Sequence, residues 1–374
     1  MANNLSSNIT RPLAKIFLEA FESSRVVTKT VNTQLLSGRF SPSTGSSVDF
    51  KRPHDYNTIR TAGGDISAST KSDIIAGKAT GTVQDYFTAA TEWSNIQQAL
   101  ELDQLEQILE PMARRLVTDL ELDLGLFMRK NTGLNYGARD TAVDAWSDVA
   151  GAGAMMDSVG VPMSDNKYYL MNPFTTTSLA SAQSGLNAAD GLVRTAFEKA
   201  QIASNFGGMK ALTSNALSSY TSGSTTDRLG DLKTAPDATY VTAKDTMQQT
   251  MVIETLGTGT IEAGDQIQVA GVNRLNIATR QLILDATGAA VPWTGTVLAV
   301  VTIAGNEATV VVSGAAIYEA NGQYNNVDAA PAAGAVVTIL GAAATVYQPN
   351  LFYTEQAFGL GTVKLPKLYS TDTV

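Results

Sequence analysis

The feature that most constrains the fold is a long helical pattern over residues 95–131. Apolar side chains recur there every three or four residues, in one run that ends at Leu109 and a second that follows Pro111. This is the spacing of an amphipathic helix. Proline is tolerated in the first turn of a helix but disrupts its interior. The pattern therefore predicts a short helix ending near Leu109 and a longer one beginning at Glu110–Pro111.

The second predicted helix has a recognisable end. Arg129 and Lys130 fall in its last turn, where the helix dipole favours cations, and Gly133 follows as a stop signal. Twenty helical residues span roughly 30 Å, so we expect this helix to be the spine of a domain. The carboxylates along the pattern alternate with apolar positions, which favours a solvated or subunit-facing edge over a metal or acid–base site. They are Glu101, Asp103, Glu106, Glu110, Asp119, Glu121 and Asp123.

Length and charge limit the possible functions. At 374 residues the chain has room for two or three domains and a sizeable core. Its net charge of −9 includes no basic stripe, so we do not expect it to grip DNA directly. There is no cysteine, hence no disulfide or thiolate metal site. The N-terminus lacks the pattern of a secretory signal, and no apolar run is long enough to predict a membrane span.

Nothing in the sequence predicts a reaction centre. His54 is the only histidine and lies beside Asp55 in a stretch of turn and strand signals, away from any nucleophile motif. The glycine-rich run 257–264 lacks the Gly-Lys-Ser/Thr ending of a phosphate-binding loop. We therefore expect no catalytic residue, no metal, no cofactor and no enzyme activity.

Residues 10–24 predict an amphipathic helix with Thr10 as its N-cap. A helix this short is marginal alone and must pack its apolar stripe on something else. It packs either on its own domain or, as an arm, on a neighbouring subunit. The stripe consists of Leu13, Ile16, Phe17, Ala20 and Phe21.

Two stretches with strand character, 26–36 and 47–60, flank the turn-rich run SGRFSPSTGS and predict a long exposed hairpin or loop. Basic side chains gather on it. They form either a solvated face or intersubunit ion pairs. They are Lys29, Arg39, Lys51, Arg52 and Arg60.

The second half of the chain changes character twice. The pattern predicts a buried strand ending at Asn172–Pro173, then helices at 175–184 and 189–204, with Phe206–Gly207–Gly208 ending the second. After a linker-like run, SGSTTDRLGD, residues 251–347 are rich in Gly, Ala, Val and Thr with short strands, which is typical of a β-barrel or sandwich.

Taken in order, five blocks of the sequence resemble the P22-like bacteriophage coat protein family. The collinear order over nearly the whole chain carries the resemblance, since no single motif is diagnostic. The blocks are VVTKTVNTQLLSGRFSPSTGSSVDFKRPHDYNTIRTAGGDIS (26–67), the acidic amphipathic spine, YLMNPF (169–174) with GLVRTAFEKAQIASNFGG (191–208), TIEAGDQIQVAGVNRLN (260–276) with NEATVVVSGAAIYE (306–319) and PAAGAVVTILGAA (331–343), and FYTEQAFGLGTVKLP (352–366).

The resemblance implies an α+β protein with the HK97-like capsid fold and an inserted all-β domain. Family members usually continue past the segment similar to 352–366 with strands that complete the peripheral domain, whereas this sequence ends at Val374. The implied parts are an N-terminal arm with an amphipathic helix (1–34), an extended loop with adjoining strands (35–92), the peripheral-domain spine helix (93–135), an apical domain (136–223), the inserted β-barrel or sandwich (224–346) and a return segment (347–374).

The resemblance also implies a function. Such proteins are major capsid proteins that assemble in the host cytoplasm with a scaffolding protein and a portal protein. They form hexamers and pentamers of an icosahedral precursor shell, which expands as double-stranded DNA is packaged without specific binding, and they remain in the virion. No membrane partner is implied. We expect the intersubunit contacts to include Leu13, Phe17, Phe21, Arg39, Lys51, Arg52, His54 and Arg60.

The alternative is a phage or bacterial surface protein whose β domain (224–346) recognises a receptor or a glycan. That reading predicts a monomer or small oligomer, whereas the capsid reading predicts large particles. The missing secretory signal counts against an exported bacterial version.

Overall fold

The computed structural model describes residues 18–22, 24–33, 45–84, 87–89, 105–184, 196 and 198–361. Within these ranges the protein is a mixed α+β protein in which strands dominate. Its four α-helices of defined extent are α1 (Leu105–Lys130), α2 (Trp146–Val159), α3 (Pro173–Ser184) and α4 (Tyr240–Ala243). Residues 18–22 and 24 are also helical. None of the described helices is long and apolar enough to cross a membrane.

The strands form three small sheets, a four-stranded sheet and a closed barrel. In chain order they are β1 (Ser47–Lys51), β2 (Lys78–Thr82), β3 (Lys167–Met171), β4 (Asn205–Phe206), β5 (Met209–Thr213), β6 (Tyr220–Thr221), β7 (Leu229–Leu232), β8 (Gln248–Glu254), β9 (Thr260–Ile261), β10 (Gln266–Asn273), β11 (Pro292–Val297), β12 (Val301–Thr302), β13 (Ala308–Ser313), β14 (Val336–Ile339), β15 (Val346–Tyr347) and β16 (Leu351–Thr354).

The spine helix α1 is one continuous element of 26 residues with Pro111 inside it. The predicted break at Glu110–Pro111 is therefore wrong. A proline removes one backbone donor, but the residues that follow it include Ala113, Val117 and Met128, all buried. Packing of these side chains stabilises the helix beyond the proline. The predicted end at Lys130 is confirmed.

The four-stranded sheet, in the order β16-β3-β5-β4, has a core on each side. Alternate side chains of a strand point to opposite faces. Tyr168 and Leu170 of β3 accordingly belong to the core that contains Met128 of the spine. Tyr169 and Met171 belong to the core that contains α2 and α3 residues. The buried strand predicted to end at Asn172–Pro173 is confirmed, as is the helix predicted over 175–184.

Gly207 and Gly208 connect β4 to β5 and do not end a helix as predicted. Their φ angles are +57° and +81°, the left-handed values that a two-residue hairpin turn requires. Of the helix predicted over 189–204, only 196 and 198–204 are described. Helical structure ends at Lys199, and Ala200 has a positive φ of 49°.

Six strands close the barrel in the order β10-β11-β13-β8-β7-β14. Its core contains Trp293, Ile253 and Val310, all fully buried. Strand β13 has its alternate residues buried, which is the period expected of a barrel wall. The predicted linker 222–231 is wrong in its last residues, because Leu229–Leu232 is a barrel strand. The two central residues of this strand, Gly230 and Asp231, are uncommon in strands, so the sequence pattern does not predict it.

The chain enters and leaves the barrel side by side. Strand β6 precedes the barrel and pairs antiparallel with β15, which follows it, so that Tyr220 lies opposite Tyr347. The two rings are 5.8 Å apart. The Arg139 guanidinium lies 5.3 Å from the Tyr220 ring centre and 6.0 Å from that of Tyr347. This cluster ties the barrel to the segment that follows the spine.

The strand character predicted for 26–36 is wrong over its described part. Val27–Lys29 form a turn of 3₁₀ helix, and Val27 and Val31 are both buried. The hairpin partner of β1 is consequently β2, with Phe50 opposite Ala79. The sequence analysis predicted an exposed hairpin but paired 47–60 with 26–36. In the structure β1 pairs with β2, and the 26 residues between them have no strand structure.

Candidate assembly surfaces

A long loop, 52–77, leaves the β1–β2 hairpin and bears most of the predicted contact residues that the structure describes. The side chains of Lys51, His54 and Arg60 are exposed and bond to no other described residue. Arg52 is half-buried, and its Nε donates to the Lys78 carbonyl oxygen at 3.3 Å. Three of these four side chains are thus open to an external partner.

The loop also exposes apolar side chains. Tyr56, Ile59, Ile66 and Ile74 are 54%, 37%, 45% and 76% exposed. The loop carries three cations, Arg52, Arg60 and Lys71, and three carboxylates, Asp55, Asp65 and Asp73. Since Asp55 is paired with Arg280 of the barrel, the rest of the loop has a small excess of positive charge, in a chain with a net charge of −9. An exposed segment that combines apolar and cationic groups is suited to an acidic protein surface.

The base of this loop lies against the barrel. The Arg280 guanidinium forms an ion pair with Asp55. The Asn57 side-chain amide donates to the Asn321 carbonyl oxygen at 2.6 Å. The Gln323 side chain donates to the Asp73 carbonyl oxygen at 2.6 Å. The two ends of the loop are therefore bound to two connections of the barrel, one between β10 and β11 and one between β13 and β14.

An apolar cluster lies beneath these polar contacts. Tyr240 and Tyr324 stack with ring centres 3.7 Å apart and an angle of 12° between planes. Ile75 of the loop packs on the same cluster. A Cβ at Gly77 would lie 2.8 Å from both the Lys244 carbonyl oxygen and Tyr240 Oη, so this close approach requires glycine.

Of the remaining predicted contact residues, Leu13, Phe17 and Arg39 lie outside the described residues. Phe21 is half-buried, with the Arg25 guanidinium 6.0 Å from its ring centre. The structure brings Arg52, His54 and Arg60 onto one loop, with Lys51 at the end of the strand that precedes it. It does not bring Phe21 to them, and the assignment of all eight as intersubunit contacts stays a prediction.

The N-terminal segment is anchored by a residue that the sequence placed on a solvated edge. Glu121 of the spine is only 5% exposed. Its Oε1 accepts hydrogen bonds from the backbone N–H of Val26 at 2.6 Å and from the N–H and hydroxyl of Thr28 at 3.2 Å each. The expectation that Glu121 lies on a solvated or subunit-facing edge is wrong, because the side chain is buried within its own chain. Thr28, which binds Glu121, lies 93 residues away in the sequence. Helical periodicity alone therefore could not predict this contact.

A recess lies beside the paired strands β6 and β15, where the chain enters and leaves the barrel. Residues 131–143, one side of α2, the first half of α3 and residues 342–358 line a cavity of about 1100 Å³. Its guanidinium, Arg139, donates to the Gly264 carbonyl oxygen at 2.9 Å, and burial lowers the pKa of Arg139 to about 10. Among the described residues, no group of three or more His, Cys, Asp or Glu side chains could hold a metal ion.

Comparison of the sequence with known proteins identifies related proteins. A family model described as "P22 coat protein - gene protein 5" matches residues 1–373. The chain is 45% identical over 378 aligned positions to a protein named "Major capsid protein" from Acyrthosiphon pisum secondary endosymbiont phage 1, covering 100% of this chain and 89% of that protein.

Two solved structures are similar to the chain. One, described as "Mycobacterium phage Che8", has a TM-score of 0.40 at 15% identity and covers 78% of this chain and 87% of its own. The other, described as "Capsid structure of the Cyanophage P-SCSP1u", has a TM-score of 0.36 at 14% identity, with coverages of 78% and 85%.

The protein is a structural protein of a bacteriophage capsid. More particularly, because the family model spans residues 1–373, the chain belongs to the P22 coat protein family. It is a major capsid protein, as the 45% identical relative is named.

Proposed function

We propose that this protein is the self-assembling subunit of an icosahedral shell of a tailed, double-stranded DNA bacteriophage. The observation that carries the proposal is the match of the coat protein family to residues 1–373. The proposed subunit has the HK97-like fold, with the six-stranded barrel as an inserted domain. The antiparallel pairing of β6 and β15 supports the insertion, since the chain enters and leaves the barrel through these two neighbouring strands.

The proposed assembly pathway begins with a precursor shell of hexamers and pentamers. A scaffolding protein and a portal protein take part in the host cytoplasm, and the shell expands as DNA is packaged. The acidic chain, with a net charge of −9, supports a shell that surrounds DNA without binding it specifically. A receptor- or glycan-binding function is not favoured, because family membership extends over the whole chain and not over the barrel alone.

Within the shell, we assign the exposed cations of the loop to an acidic surface of a neighbouring subunit. The exposed side chains of Lys51 and Arg60 support this contact, because each is open to a partner outside the chain. Aromatic and aliphatic side chains beside them would be buried in the same contact.

Electron microscopy of the purified full chain tests the proposed function. The chain is examined alone and after co-expression with the scaffolding protein encoded by the same phage. We expect closed shells tens of nanometres across, on the order of the size of icosahedral capsids, built from pentamers and hexamers. Small oligomers under both conditions would contradict the proposal, and a glycan array with the same preparation would then test the receptor-binding alternative.

A further inference from the structure

The loop 52–77 and the barrel meet through contacts between residues that are more than 200 positions apart in the sequence. Asp55 pairs with Arg280, and Tyr324 Oη donates to the Ile75 carbonyl oxygen at 3.3 Å. The backbone N–H of Lys78 donates to Asp245 Oδ1 at 3.1 Å. These contacts hold both ends of the loop and leave its central part, 58–71, projecting away from them.

Arg280 is built for this position. Its φ of +59° is rare for a residue other than glycine. Besides Asp55, its guanidinium donates to the carbonyl oxygens of Gln323 and, at 2.6 Å, Asn325. The arginine thus remains fixed to the barrel by two carbonyl groups while it holds the loop through one carboxylate.

We propose that the barrel acts as a brace in cis, with Arg280 and the Tyr240–Tyr324 stack as positioning residues that set where the loop's apolar, cationic tip lies. The partner of the tip is a second copy of this chain. This last step rests on the proposed function, whereas the docking of the loop on its own barrel does not. A substitution on the barrel surface around Arg280 would accordingly alter the contact between subunits, although the substituted residue lies outside that contact.

Limited trypsin digestion of the unassembled full chain tests the brace, with cleavage after Arg60 and Lys71 as the signal. Asp55→Ala removes the loop's carboxylate and leaves Arg280 its two carbonyl bonds. Tyr324→Phe removes the hydroxyl that reaches Ile75. Because a partly exposed ion pair or hydrogen bond contributes modestly, we expect each variant to be cleaved about fivefold faster at the tip.

Asp285→Ala is the matched control. This aspartate lies on the barrel, and its side chain bonds only within its own turn, to Thr287 and Ala289. Tip cleavage in the control should equal that of the unaltered chain. Unchanged tryptophan emission, to which buried Trp293 of the barrel contributes together with Trp93 and Trp146, shows that each variant is folded. Tip cleavage that is equal in all four proteins would overturn the brace, whatever the result for shell formation.

A cross-link distinguishes docking in cis from docking on a neighbour in the assembled state. The chain has no cysteine, so Asp73→Cys with Gln323→Cys supplies a unique pair for a short bis-maleimide. We expect denatured shells to contain only internally cross-linked single chains. Cross-linked dimers and ladders would instead show that the loop docks on another copy's barrel, and would contradict the brace in cis.

Discussion

The hydroxyl oxygens of Thr30 and Tyr353 lie 2.6 Å apart, although 323 residues separate them in the chain. Both residues are buried. Thr30 follows the 3₁₀ turn that Glu121 binds, and Tyr353 belongs to β16, the edge strand that pairs with β3. The contact therefore joins the N-terminal segment to the strand that follows the barrel.

We first expect Tyr353→Phe to lower the free energy of unfolding by about 1 kcal/mol, because it leaves the Thr30 hydroxyl with one bond fewer in a buried place. Urea denaturation of the unassembled chain, followed by circular dichroism, measures this change. Tyr318→Phe is the control, since Tyr318 is 37% exposed. Equal losses in the two variants would mean that the hydroxyl pair contributes nothing specific.

Alkaline pH should weaken the same junction. Burial raises the pKa of Tyr353 to about 12, and burial also raises the pKa of Tyr169 on the opposite face of β3. An unfolded tyrosine has a pKa near 10, so the stabilisation of the neutral form is complete below about pH 10. It is lost as the pH rises from there through about 12.

For Tyr353 alone, the two-unit difference corresponds to about 3 kcal/mol by pH 12. We therefore expect the free energy of unfolding to fall between pH 10 and pH 12, and to fall less steeply in Tyr353→Phe. Denaturation curves across this interval give both slopes. A variant with the slope of the unaltered chain would show that Tyr353 does not titrate in this way.

The third prediction concerns the anchor of the N-terminal segment. Glu121→Gln keeps the shape of the side chain but replaces a charged acceptor by a neutral one, so it should cost about 2 kcal/mol. We also expect faster tryptic cleavage after Arg25, which precedes the bound turn, and after Lys29, its last residue. Asp123→Asn removes an exposed carboxylate two positions along the same helix. If it has the same effects, the anchor is not specific to Glu121.

The sequence predicts elements well where one local pattern decides them. Buried strand β3 has a continuous apolar run, and α3 and the end of α1 have their expected boundaries. It fails where a distant contact decides. The segment that contains Val27 and Val31 has the composition of a strand, but the carboxylate of Glu121 binds its N–H groups and stabilises a 3₁₀ turn instead.

Helix α2 is missing from the sequence predictions for a related reason. Gly151 and Gly153 lower its helical propensity. A Cβ at Gly153 would lie 3.3 Å from the Gly207 carbonyl oxygen, so the glycine permits close packing of α2 on the β4–β5 turn. The candidate loop surface was predicted as exposed and basic. Its docking on the barrel was not, because Asp55 and Arg280 are 225 residues apart and neither carries a local signal.

The fourth prediction concerns packing inside the barrel. A Cβ at Gly295 would lie 2.6 Å from the ring of Trp293, which is fully buried and donates its indole N–H to the Gly314 carbonyl oxygen at 2.9 Å. Because the ring is buried and held by this hydrogen bond, relieving the clash would disturb its packing, and Gly295→Ala should destabilise the barrel by about 2 kcal/mol. Denaturation followed by tryptophan emission measures this. Gly63→Ala, at a position with open space around it, should have little effect; equal melting of the two variants would contradict the packing argument.

The last prediction concerns the cations of the loop. Lys51→Ala, Arg52→Ala and Arg60→Ala, combined, remove the positive charge that we assign to a neighbouring subunit's acidic surface. Shells of this variant should form in lower yield at low salt, and their yield should depend less steeply on salt, because the ion pairs that screening weakens are already absent.

Arg114→Ala provides the control for that experiment. Arg114 is also exposed, but it forms its ion pair with Glu110 one turn away on the same helix. Its loss should leave the yield and salt tolerance of the shells nearly unchanged. Sedimentation of assembly reactions at increasing sodium chloride gives both quantities. Triple-variant shells with the yield and salt tolerance of the control would show that the loop's cations face solvent, and the subunit contact would then depend on its apolar side chains, Tyr56, Ile59 and Ile66.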